Sequence, residues 1–181
     1  MRPPASAFLA LVGLSIALSG CASMPVTEFE RTSLHRNVQA TIARFRARDP
    51  GLEEFFETAH AYAVFPTVAK GAIVVGGAHG LGEVIEQGQV IGYCDLTQGT
   101  IGLQLGGQAY SEIIFFERKS SLDRFRFGRF ALAAQASAVL VTVGASADVD
   151  YERGVAVFTM AKGGLMAEAA IGGQNFTFHP K

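Results

Sequence analysis

The 181-residue sequence contains no tryptophan, only two cysteines and almost no excess of either charge sign, its formal net charge being −1. Two cysteines cannot build a disulfide-dense scaffold. A net charge near zero argues against a dedicated nucleic-acid binder, which carries a strong basic excess. Charged residues make up 17% and apolar residues 49%, a balance that excludes a disordered chain. Several chemical signatures are also missing. There is no G-x-x-x-x-G-K-[ST], no G-x-S-x-G and no H-E-x-x-H. His35, His60, His79 and His179 are scattered, with no partner at metal-ligand spacing. Gly77, Gly80 and Gly82 run as G-x-x-G-x-G, not in the dinucleotide order, and a strand follows them instead of a helix. Asp148, Asp150 and Glu152 alternate like the start of a calcium loop. Arg153 stands where such a loop needs glycine, and Thr159 where it needs glutamate. No carboxylate pair or Ser/His/Asp set stands out for acid–base or nucleophilic work. The expectation is a protein that is not an enzyme, with no metal site and no cofactor.

The apolar residues are unevenly spread. After Arg2, the stretch Ala5 to Leu18 is uncharged and almost wholly apolar or small. It falls short of the ~20 residues of a bilayer span and fits the apolar region of a secretory signal peptide. It ends in Leu18-Ser19-Gly20-Cys21, which resembles a bacterial lipobox. In such lipoproteins the cysteine is acylated and becomes the first residue. An ordinary cleaved signal with a chance cysteine, or an uncleaved anchor, are the competing readings. The expected organisation is a signal peptide over 1–20, a tether over 21–26 acylated (with palmitate among its chains) at Cys21, and one domain over 27–181. Several acyl chains anchor stably where one is marginal. Ala22 stands where lipoproteins kept at the inner membrane carry aspartate, which points to the outer membrane, facing the periplasm. Cys94 is then the one cysteine besides the lipid site; it sits in an apolar run, reads as a small buried hydrophobe, and no disulfide is expected.

Thr27-Glu28-Phe29-Glu30 reads as a capping box opening an amphipathic helix to about Arg48, with Leu34, Val38, Thr41, Ile42 and Phe45 at helical spacing. Asp49-Pro50-Gly51 breaks it, and a short helix follows from Gly51 to His60. Strands are expected over 61–65 (stopped by Pro66), 72–78, 83–87, 89–95, 100–109, 112–117, 138–143, 155–161, 165–171 and 175–178. Ser120 or Ser121 could cap a further short helix ending at Phe127. Without regular βαβ alternation a parallel doubly wound sheet is rejected. The fold class is α+β: N-terminal amphipathic helices packed on a glycine-rich antiparallel sheet or small barrel, with one further short helix.

Eleven of the 21 glycines lie between Gly71 and Gly107. Such density in strands suggests sharp bends or closely pressed backbones. One expectation is a sheet face bare of side chains around Gly102 and Gly106, with a helix lying directly on it. The sequence also echoes itself: Ala63-Val64-Phe65 precedes Ala69-Lys70-Gly71 as Ala156-Val157-Phe158 precedes Ala161-Lys162-Gly163. Either the chain holds two similar strand-turn-strand units, with Lys70 and Lys162 in comparable turns, or the echo is chance in a composition rich in Ala, Val and Gly.

One segment carries a surface signal. Arg118, Lys119, Arg124, Arg126 and Arg129 interleave with Leu122, Phe125, Phe127 and Phe130. Basic side chains beside aromatics suit an anionic membrane surface, and the pattern also suits single-stranded nucleic acid. The competing reading is a helix whose phenylalanines enter the core while its arginines reach water.

The glycine pattern and its flanks resemble the SYLF domain family. The resemblance is carried by Ala61-Tyr62-Ala63-Val64-Phe65-Pro66, Lys70-Gly71, Gly76-Gly77, Gly80-x-Gly82, Gly92-Tyr93 with Asp95-Leu96, Gly102-Leu103-Gln104-Leu105-Gly106-Gly107-Gln108, and Lys162-Gly163-Gly164-Leu165-Met166 with Gly172-Gly173. It covers about Thr27 to Phe178. It implies a single non-enzymatic domain. Eukaryotic members bind phosphoinositides, partly through an amphipathic N-terminal helix, and a yeast branch with SH3 domains binds actin. This chain has no SH3 domain, so actin is not carried over, and what transfers is affinity for anionic lipid headgroups. Candidate headgroup-binding residues are Lys70, Lys119, Arg124, Arg126, Arg129 and Lys162. The expected function is thus a cell-envelope lipoprotein whose domain binds lipid headgroups or the membrane surface, with no nucleic-acid partner. The alternative is a structural module that docks an envelope protein through its glycine-rich sheet.

Overall fold

The computed structural model describes residues 24–25, 27–72, 75–101, 106–128, 138–163 and 174–181. The signal peptide, Cys21, Gly102, Arg129, Phe130 and the strand expected over 165–171 lie outside them.

Helix α1 spans Glu28–Arg48. Its expected capping box is present: Glu30 N donates to Thr27 Oγ1 at 3.2 Å and Thr27 N donates to Glu30 Oε2 at 2.9 Å. Acidic residues in its first turn and Arg46 and Arg48 in its last suit the helix dipole. Helix α2 covers Leu52–Thr58. The strands are β1 (Ala61–Ala72), β2 (Val75–Glu86), β3 (Gln89–Ile101), β4 (Gly106–Phe116), β5 (Ala138–Leu140), β6 (Val155–Gly163) and β7 (Gln174–Pro180); helix α3 (Lys119–Arg126) lies between β4 and β5 in sequence. They form one seven-stranded sheet in the order β5-β6-β4-β1-β2-β3-β7.

The α+β class stands, but the sheet differs from the expectation. It is mixed, because β5 runs parallel to β6, and open among the described residues, with β5 and β7 at its edges. Pro66 does not stop β1. The strand passes through it at an irregularity shared with both neighbours, between Val64 and Thr67 and between Phe65 and Val68. A proline, having no N–H to give the ladder, belongs at such a bulge. The runs 72–78 and 83–87 are parts of β1 and of one continuous β2. The β2–β3 hairpin turns at Gln87 and Gly88, both at positive φ (50° and 78°), as a two-residue hairpin turn requires. The expected strand 100–109 belongs to two elements, the end of β3 and the start of β4, which β1 and β2 separate in the sheet. The N-cap of α3 is Arg118, without a side-chain cap, and Ser121 lies inside the helix.

Both sheet faces are covered. Ile113, Phe115, Val64, Ile85, Ala156 and Phe158 pack with Val38, Ile42 and Phe45 of α1 and Leu52 and Phe55 of α2. The alternate residues Ile114, Phe116, Ala63, Phe65, Val157 and Phe176 pack with Leu122 and Phe125 of α3. Buried Cys94 belongs to this second cluster. Close approach explains two of the glycines. A Cβ on Gly82 would lie 2.5 Å from the Val64 carbonyl and 2.9 Å from the Phe65 ring. A Cβ on Gly92 would lie 2.6 Å from the Phe178 ring. At Gly82 and Gly92 neighbouring strands and phenylalanine rings cover the glycine; the expectation of a helix over Gly102 and Gly106 lies outside what is described.

Buried Asp49, just after α1, ties that helix to the 144–146 turn. Its Oδ1 accepts from Gly51 N (3.1 Å) and Gly144 N (3.3 Å), and its Oδ2 from Ser146 N (2.7 Å). Burial pushes this carboxyl up, but the hydrogen bonds from Ser146, Gly51 and Gly144 together outweigh it and hold its pKa below the ordinary 3.8. Asp49→Asn replaces one acceptor by a donor facing an N–H. The expected loss is about 2 kcal/mol in denaturant unfolding at pH 7. Because the native pKa is depressed, that difference shrinks as pH falls below the ordinary carboxylate range. A variant as stable as the parent at pH 7 contradicts this account of the turn.

Candidate functional site

The eight residues of α3 read K-S-S-L-D-R-F-R. Leu122 and Phe125, three apart, share one face and are wholly buried. The Phe125 ring lies 5.0 Å from Phe116 and 5.2 Å from Phe176. Arg118, Lys119, Arg124 and Arg126 are exposed, and Phe127, just past the helix, is 72% exposed. The core reading holds for Leu122 and Phe125, which are buried, and for the cations, which are exposed; Phe127 departs from it.

Contacts hold these cations in place. Arg124 Nη2 donates to the Arg153 carbonyl at 2.7 Å, and the Arg126 guanidinium sits 5.1 Å over the Phe178 ring. Lys119 Nζ is 2.7 Å from Asp123, and Arg118 pairs with Glu117. Four cations against two carboxylates leave the 117–127 surface positive. The other candidates are placed elsewhere. Lys162 follows Phe158 and Met160 in alternation on β6, which puts it on the α1 face, opposite α3. Its Nζ donates to Thr67 Oγ1 at 2.6 Å; burial, then the Arg44 charge, lowers its pKa. Lys70 lies within β1, opposite Ala78 and Gln108. Neither lysine is in a turn, which corrects that expectation. The echoed segments flank β4: Ala63–Phe65 pair with Ile114–Glu112, and Ala156–Phe158 with Phe115–Ile113. The structure thus gathers Lys119, Arg124 and Arg126 on α3 and leaves Lys162 apart.

Sequence reasoning missed the buried ionisable groups. His35, His60 and His179 each lie beside a carboxylate from a distant segment: Glu83 at 3.0 Å, Glu86 at 2.7 Å and Asp95 at 3.0 Å. Glu112 is wholly buried on the α3 face of β4. Its Oε2 accepts from Gln174 Nε2 at 3.0 Å, which also donates to the Tyr110 hydroxyl at 3.1 Å, while Glu112 Oε1 has no partner among the described residues. A charged residue leading the apolar run Ile113–Phe116 was the available signal. No group of residues able to hold a metal ion occurs among the described residues.

Burial pushes Glu112 up to about 7, against the lowering effect of the Gln174 hydrogen bond. The folded protein keeps this proton to about pH 7, whereas the unfolded chain releases it near the ordinary 4.5. Between these values the unfolded state binds fewer protons, so the contribution of Glu112 to stability falls as pH rises and levels off above about 7. Glu112→Gln is expected to remove this slope and to raise stability above pH 7 by about 3 kcal/mol, read by urea unfolding from pH 4.5 to 8. An unchanged slope contradicts the assignment.

Part of the chain is similar to known proteins. Residues 97–181 match the Ysc84 family model, described as Las17-binding protein actin regulator. The matched part runs from within β3 through β4, α3, β5, β6 and β7. The chain is also similar to Beta cell expansion factor A of Aeromonas veronii, 22% identical over 148 residues, which is 81% of this chain and 56% of that protein. It therefore spans just over half the length of that relative. These matches and the glycine-rich motifs agree, and over residues 97–181 the chain is similar to the Ysc84 (SYLF) family.

Proposed function

We propose that this protein is a non-enzymatic lipoprotein of the cell envelope, acylated at Cys21 and held at the outer membrane facing the periplasm, whose SYLF domain binds anionic lipid headgroups through α3. The observation that supports this reading is the division of α3. Leu122 and Phe125 anchor it in the core, while Lys119, Arg124 and Arg126 are exposed and Phe127, just past the helix, is 72% exposed. Cations near an anionic surface each contribute about 1 kcal/mol, and an exposed aromatic ring adds apolar contact at the headgroup level. The acyl chains keep the domain at the surface, so weak headgroup contacts act at high effective concentration. A second reading, docking of an envelope protein, draws on Leu140 and Val143, which are exposed (43% and 78%) at the edge strand β5 and just beyond it.

Protein carrying Cys21→Ser, which cannot be acylated, is expected to pellet with anionic vesicles at low salt and less so as salt rises. Arg124→Ser with Arg126→Ser is expected to weaken that binding about tenfold or more. Absence of pelleting, or pelleting unchanged in the double variant, refutes the α3 site. Recovery of a cross-linked envelope protein that Leu140→Ser abolishes favours the second reading.

A further inference from the structure

The first turns of α1 and the strands beneath them enclose a cleft of about 260 Å³ on the sheet face opposite α3. Arg31, His35 and Glu28 reach it from α1, Glu83 and Tyr93 from β2 and β3, and Lys181 from the end of β7. Its volume lies just below the roughly 300–1,000 Å³ of sites for drug-sized ligands, so it suits a small molecule.

The chemistry is mixed in sign and pre-positioned. Glu83 is 1% exposed, and its Oε2 lies 3.0 Å from His35 Nδ1. Arg31 Nε donates to the Pro25 carbonyl at 3.2 Å, and its guanidinium sits 5.6 Å over the Tyr93 ring, so the cation is held at the wall of the cleft. Lys181 is near enough to act on Glu83, and Glu28 near enough to act on Tyr93. Arg31 and Lys181 nevertheless form no ion pair with Glu28 or Glu83 among the described residues. Arg31, Lys181, Glu28 and Glu83 thus line one small space, and among the described residues the one ion pair there is Glu83 with His35. A bare anion entering it would meet a carboxylate, and a bare cation would meet Arg31 and Lys181. A molecule carrying both signs on a short chain complements both ends.

We propose that this cleft binds a small zwitterion, a primary ammonium joined through a short chain to a phosphate or carboxylate, with the oxyanion between Arg31 and Lys181 and the ammonium at Glu28. Such a ligand can be a free metabolite or a lipid headgroup. The site shares no residue with the α3 surface, so the failure of either leaves the other standing.

The test is calorimetric titration of the Cys21→Ser protein with phosphoethanolamine, ethanolamine and inorganic phosphate. Phosphoethanolamine is expected to bind saturably at one site, about tenfold or more tighter than either half alone. Glu28→Gln should weaken phosphoethanolamine about tenfold and leave phosphate unchanged, whereas Arg31→Gln should weaken both. Thermal unfolding of these two variants at the parental midpoint separates loss of the site from loss of the fold. Vesicles containing phosphatidylethanolamine or phosphatidylcholine distinguish the sources. Glu28-dependent pelleting with the first assigns the ligand to a lipid, and binding of the free molecule without such pelleting assigns it to a metabolite. No saturable binding, equal binding of all three probes, or phosphoethanolamine binding unchanged in both variants overturns the proposal.

Discussion

Residues 113–116 of the central strand β4 have no wet face. In β4, Ile113 and Phe115 enter the α1 side while Ile114 and Phe116 enter the α3 side, all of them at 0% exposure. Both surfaces must therefore be covered, which sets the places of all three helices. A sheet buried on both faces also leaves charge few positions: the helix exteriors, the strand ends, or the interior with partners. Asp49 takes three backbone N–H groups, Glu83 takes His35, and among the described residues Glu112 has Gln174 alone. Glu112, with the least satisfied carboxylate of the three, has its pKa pushed to about 7.

The glycines follow from the same constraint. Where strands β2 and β3 are crossed by the rings of Phe65 and Phe178, a side chain at Gly82 or Gly92 would occupy the space those rings fill. The missing Cβ lets aromatic surface lie directly on backbone. Phe65 then reaches Phe176 at 5.8 Å, and Phe176 reaches Phe125 of α3 at 5.2 Å. A chain of phenylalanines thereby links β1, β7 and the helix that carries the outward basic face.

Local signals were legible in the sequence. The Thr27–Glu30 box, the break at Asp49-Pro50-Gly51, the two-sided burial of Ile113–Phe116 and the buried Cys94 all depend on neighbours a few residues apart. What the sequence hid depends on distant neighbours. Pro66 reads as a terminator until the bulge shared with β2 and β4 is known. Gly80 and Gly82 fall between two expected strands, 72–78 and 83–87, although they lie within one long strand. The parallel placement of β5 beside β6 has no local signature. The candidate site was legible in part. Spacing alone left open which residues of 118–127 face inward, and packing resolved it. The partners of Glu83 and Glu112 come from residues 48 and 62 positions away, beyond any motif.

The core-anchored α3 and its exposed cations are what the proposed account rests on, a domain held at a lipid surface by its own helix as well as by the proposed acyl anchor. The absence of tryptophan makes that account directly measurable. In a Phe127→Trp protein the single indole reports the environment just past α3. The account predicts a blue shift of its emission, and quenching by a lipid-borne quencher, when anionic vesicles are added at low salt. Emission that stays unshifted and unquenched while the protein pellets with those vesicles would contradict it, because the membrane would then be contacting some other face.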